Sequence, residues 1–70
     1  MNFDQLEFST FCIYNIAVAL NMNQSDVYRI LRKSGILKDY VIDAYKVTHT
    51  FDSQYIVDDI TALMKERGVL

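Results

Sequence analysis

From Asp4 to Asn21 apolar residues recur at helical intervals, with no proline or glycine to interrupt them. At about 100° per residue Phe8, Phe11, Cys12, Ile16 and Ala19 share one face. Tyr14 and Val18 flank that face on one side, and Leu6, Ile13 and Leu20 on the other. The apolar arc is wider than one face of a small domain requires. Such a helix is either central and packed from several sides, or shared with a partner through the Tyr14 and Val18 flank. Asp4 and Glu7 lie early in it, where carboxylates complement the helix dipole.

A turn at Asn21-Met22-Asn23 leads to a second helix, Gln24 to Ser34. Asn23 is a good N-cap, and Asp26 at the third helical position approximates a capping box. Val27, Ile30 and Leu31 form its apolar stripe, with Tyr28 at the edge. Arg29, Arg32 and Lys33 take the opposite side, and Gly35 suits a left-handed C′ position. Ile36 to Asp43 follows as a short third helix, with Ile36, Leu37, Tyr40, Val41 and Ala44 at spacings of three and four.

The period then changes. Tyr45, Val47 and His49 alternate with Lys46, Thr48 and Thr50, Phe51-Asp52-Ser53 is turn-like, and Gln54 to Val57 is rich in strand formers. This predicts a β-hairpin, Lys46 to Thr50 against Gln54 to Val57. Asp58 would then cap a last helix from Asp59 to Arg67, closed by Gly68. The competing reading starts that helix at Ser53, because Ile56, Ile60, Leu63 and Met64 share a helical face. The expected fold is mainly α: one domain, residues 1–70, a bundle of three to four helices with a short hairpin before the last.

Composition narrows the function. A chain of 70 residues has a marginal core, and half of its residues are hydrophobic, which argues for a folded domain that gains from self-association. One cysteine excludes an internal disulfide, and one histidine with one cysteine cannot close a structural zinc site. The start of the chain has no basic n-region, and its longest apolar run, Phe11 to Leu20, falls short of the ~20 residues of a membrane span. The expectation is a cytoplasmic protein.

No phosphate loop, CxxC or HxxxH spacing occurs, and no enzyme, cofactor or metal is predicted. Cys12 paired with His49 would need a thiol from the middle of an apolar face to reach an open cleft. His49, Asp52, Asp58 and Asp59 could gather round a metal, but aspartates beside a turn are more simply caps and turn formers. His49 reads as an edge-of-core residue bonded to a carboxylate or a backbone carbonyl, or else as a recognition contact. In the hairpin Tyr45 and Tyr55 become cross-strand neighbours, so Tyr45, His49, Thr50 and Tyr55 form the candidate partner-binding cluster.

The basic face of Arg29, Arg32 and Lys33 offers an alternative, a small DNA-binding regulator. NQSDVYRILRKSGIL resembles part of a helix-turn-helix, yet the segment after it sets Lys38 against Asp39 and Asp43 and lacks side chains that read base edges. A net charge of −2 gives no general attraction to phosphate.

FCIYNIA, VYRILRKSGILKDYVIDAYKVTHT and QYIVDDI together resemble the bacterial family known as domain of unknown function thirty-seven ninety-one, from about Phe8 to Lys65. The resemblance rests most on Gly35-Ile36-Leu37, Tyr40, Tyr45, His49-Thr50 and Tyr55 with Asp59-Ile60. Members commonly carry leucine before the histidine; Thr48 departs from that, which argues against a core position there. The resemblance implies no catalytic residues. It implies a gene beside one for an ADP-ribosyltransferase-like toxin, and so an antitoxin-like, non-enzymatic binding partner.

Overall fold

The computed structural model describes residues 1–70. Four α-helices and one π-helical segment follow one another, and there is no strand: α1 (Phe3–Leu20), α2 (Gln24–Lys33), the π segment (Leu37–Ile42), α3 (Tyr45–Thr48) and α4 (Ser53–Glu66). The helical expectation holds and the hairpin does not.

Caps set the boundaries. Asn2 and Gln5 exchange backbone-to-side-chain bonds at the start of α1, and Asn21 ends it in the left-handed region that asparagine tolerates. Asn23 caps α2 as expected, accepting from the Asp26 N–H at 2.9 Å. Beyond α2 Gly35 takes φ +82°, the C′ conformation expected of it. A side chain at Gly35 would also press on Arg67, whose guanidinium donates to the Ser34 carbonyl at 2.8 Å and to Asp39 at 3.3 Å. The far end of the chain is thus fastened to the end of α2.

The core runs from Phe8, Cys12, Ile16 and Ala17 of α1 through Val27 and Leu31 of α2. Ile36, Leu37 and Val41 continue it, and Ile56, Ile60 and Met64 of α4 complete it. Full burial of residues such as Ile16, Leu31 or Ile60 stabilises by about 1.5–3 kcal/mol each. α1 touches α2, the π segment and α4, so it is the central helix. Its polar-side boundary differs from the expected one. Ala17 and Ser9 are buried while Phe11 and Ala19 are exposed. Ser9 can be buried because its hydroxyl donates to the Gln5 carbonyl at 2.7 Å.

The π segment replaces the expected third α-helix. Asp43 N–H bonds to the Lys38 carbonyl five residues back, at 2.8 Å. In α-geometry Ile42 would lie outside the arc of Ile36, Leu37, Tyr40 and Val41. A turn that advances less per residue draws it back, and both Tyr40 and Ile42 pack on the core.

The hairpin fails because alternation and helix share the i, i+4 relation. A strand would bury Val47 with Tyr45 and His49, whereas Val47 is 60% exposed and Thr48 only 3%. Thr48 is therefore a core position despite its hydroxyl, which donates to the Tyr40 and Ala44 carbonyls at 3.2 and 3.1 Å. The last helix starts at Ser53, capped by Asp52, whose carboxylate accepts from the Tyr55 N–H at 2.9 Å. Asp58 is no cap; it lies within α4 and accepts from the Gln54 amide. Asp52→Ala should therefore cost about 1 kcal/mol in chemical denaturation. Asp58→Ala, an exposed mid-helix change, should stay within about 0.5 kcal/mol. The opposite ranking would restore the hairpin boundary.

Candidate functional site: an aromatic groove with an acidic rim

α3 makes one short turn, and that turn brings Tyr45 and His49 together. Their rings stack at 4.4 Å with planes 5° apart, and His49 Nδ1 lies 2.6 Å from the Tyr45 carbonyl. A carbonyl only accepts, so Nδ1 carries the hydrogen. In the neutral imidazole Nε2 is then a lone-pair acceptor, and it makes no hydrogen bond within the chain. His49 meets the expectation of a backbone-carbonyl partner, but it is exposed and not at a core edge.

The rings of Phe8 of α1 and Tyr45 lie nearly perpendicular, at 5.6 Å and 78°, and Phe11 lies nearly parallel to Phe8 at 6.3 Å. Edge-to-face contacts of this kind are worth ~1 kcal/mol beyond area burial and add to the packing of α3 on the π segment. The four rings line a groove of about 300 Å³, with Phe51 and Ile56 on its floor and Asp4 and Glu7 on its rim. Neither carboxylate joins any of the three ion pairs in the molecule.

The expected cluster of Tyr45, His49, Thr50 and Tyr55 is only half realised. Without a hairpin Tyr55 is not a cross-strand neighbour of Tyr45; it projects from α4 and packs on Phe51 at 4.7 Å. Thr50 turns its hydroxyl back to the Val47 carbonyl at 2.6 Å. The α1 residues of the groove were missed. Asp4, Glu7, Phe8 and Phe11 stand at i, i+3 and i+4 steps on one helix edge, a legible signal, but nothing local showed that α3 would lie against it.

Asp52 caps α4, Asp58 bonds Gln54, and Asp59 accepts from the Tyr40 hydroxyl at 2.9 Å, so the acidic residues near His49 serve different partners. No three ligating side chains converge on a point a metal could occupy. Burial first, then the bond to Asp59, pushes the Tyr40 phenol above its ordinary range. The proposed helix-turn-helix would place Lys38 toward a duplex, but it pairs with Asp43 at 2.6 Å, and Arg29 pairs with Asp26.

Cys12 has no exposed surface and does not meet His49 at a cleft. Burial pushes its thiol from 9.0 up to about 12. Below pH 9 both folded and unfolded chains keep the proton, so its contribution to stability is complete there. Between about 9 and 12 only the unfolded chain loses it, and stability should fall with rising pH. Cys12→Ala should flatten that slope in denaturation midpoints taken across the window. In the folded protein at pH 8, a thiol reagent should label Cys12 no faster than the chain unfolds.

A family model, described as protein of unknown function (DUF3791), matches residues 7–67 of the chain. No curated protein and no solved structure matches it.

Proposed function

We propose for this chain, which belongs to the DUF3791 family, the role of a non-enzymatic protein-interaction module. In this reading it is a cytoplasmic, antitoxin-like partner of an ADP-ribosyltransferase-like protein encoded beside it. The observation that carries the reading is the outer face of α1. Phe3, Phe11, Tyr14 and Val18 stand at helical intervals on the side away from the core and are 73%, 42%, 54% and 63% exposed. Scattered apolar residues on a surface are ordinary, but a run of aromatics along one helix is the kind of patch that partners cover. The groove of Tyr45 and His49 adjoins this stripe at Phe11 and extends it. Thr50 follows His49 in the chain, and Tyr55 reaches the groove only through its contact with Phe51.

The same stripe supports a homodimer about Tyr14 and Val18 when the partner is absent, since a chain this short gains stability from a second subunit. The face of Arg29, Arg32 and Lys33 supports the second reading, a DNA-binding regulator; all three side chains are exposed, with Arg29 held by Asp26. No helix is long and apolar enough to cross a membrane.

Sedimentation at micromolar concentration should give a dimer, and the neighbouring gene product should co-purify with it. Tyr14→Glu and Val18→Glu should each weaken these associations by about 2 kcal/mol or more, lowering the melting temperature by no more than loss of the dimer does and leaving the helical content of the monomer intact. A monomer that ignores both substitutions and captures no product would end this reading. Duplex DNA should not bind the isolated protein at physiological salt. Binding with a steep salt slope, lost in Arg29→Ala with Arg32→Ala, would put the regulator first.

A further inference from the structure

α1 carries two carboxylates, Asp4 and Glu7, and no basic residue along its whole length. Asp26, Asp39 and Asp43 each have a cation, and Asp52, Asp58 and Asp59 each accept a hydrogen bond from a neutral group, while Asp4 and Glu7 take part in no ion pair. Asp4 favours the helix N-terminus, which accounts for its presence. Glu7 lies beyond the first turn, and that account does not extend to it. Both line the groove together with Phe8, Phe11, Tyr45 and His49.

The groove's chemistry is one-sided. Ionised carboxylates only accept hydrogen bonds, and an imidazole whose Nδ1 donates adds a further acceptor at Nε2 in its neutral form. Aromatic faces carry partial negative charge. Acceptors and π-faces together complement a cation rich in donors. At about 300 Å³ the space lies at the small end of ligand sites, suited to one side-chain head and not to a large molecule. A guanidinium satisfies these conditions better than an ammonium. It is planar, stacks on rings, presents five donors in a fork, and is weakly hydrated. It would lie against the rings while its N–H groups meet Glu7 and Asp4.

We infer that this groove receives an arginine side chain of a protein partner. The source of that arginine rests on the interaction-module reading; the recognition chemistry does not. The side chain would enter beside the exposed stripe of α1, so that apolar contact supplies area and the arginine supplies register and discrimination.

The test uses the intact chain and a small probe, N-acetyl-arginine amide, followed by NMR shifts of the groove's aromatic and imidazole signals. The isosteric neutral control is N-acetyl-citrulline amide. Arginine amide should produce saturable millimolar shifts at Phe8, Phe11, Tyr45 and His49, about tenfold stronger than citrulline amide and weakened by salt. Asp4→Asn and Glu7→Gln should each weaken arginine binding about threefold or more; Glu7→Gln should leave the melting temperature unmoved, while Asp4→Asn should lower it slightly through the lost helix-dipole contribution. Lysine amide should bind less tightly. Citrulline binding as well as arginine, shifts centred elsewhere, or indifference to both substitutions would overturn the inference. Tighter lysine binding would overturn the choice of arginine. A failed probe leaves the dimer and partner measurements untouched, and failure of those leaves the probe result standing.

Discussion

Most of this small protein is built against α1, its longest helix, on which α2, the π segment and α4 all pack. Cys12 and Ile16, both without exposed surface, are where α1 joins the core shared by α2, the π segment and α4. Losing either contact would uncover several elements at once, since none of the shorter helices is long enough to hold together alone. The burden falls on one side of α1. Its other side is left with aromatic and aliphatic residues that no part of the chain covers.

The middle of the chain is held differently. Between α2 and α4 the backbone never settles into a long helix, and its polar groups are satisfied one by one. Thr48 closes the Tyr40 carbonyl, Gln5 reaches the Ile42 carbonyl at 3.4 Å, and Arg67 takes the Ser34 carbonyl. Tyr40 to Asp59 ties the π segment sideways to α4. No buried side-chain nitrogen or oxygen is left without a partner. An irregular segment can therefore lie against the core without the cost of orphaned donors or acceptors.

These two modes of stabilisation meet at the groove. Phe8 is buried and belongs to the core, yet its ring also packs at right angles on Tyr45, which orients His49 through stacking and a carbonyl bond. A rigid wall from α1 and a short, individually braced turn from α3 thus place rings and acceptors in fixed relation. Preorganisation of this kind lowers the ordering cost of binding a side chain.

Much of the fold was legible from residue order alone. The extents of α1 and α2, the caps Asn23 and Gly35, Cys12 on the apolar face and the shared face of Ile56, Ile60 and Met64 all follow from local rules of period, capping and burial. Between Tyr45 and Val57 those rules pointed to a hairpin that the structure does not have, because residues four apart share a side in a strand and in a helix alike. What decided the matter was tertiary. The space beside Tyr40 and Ala44 admits a threonine whose hydroxyl reaches their carbonyls, so Thr48 turned inward and Val47 outward. The same packing brought Tyr45 and His49 to Phe8 and Phe11, residues more than thirty positions away, and set Tyr55 aside on α4. The chain order supplied the rings and carboxylates, and only the closure of α3 onto α1 could make them one surface, since contact across that distance is a property of packing and not of spacing.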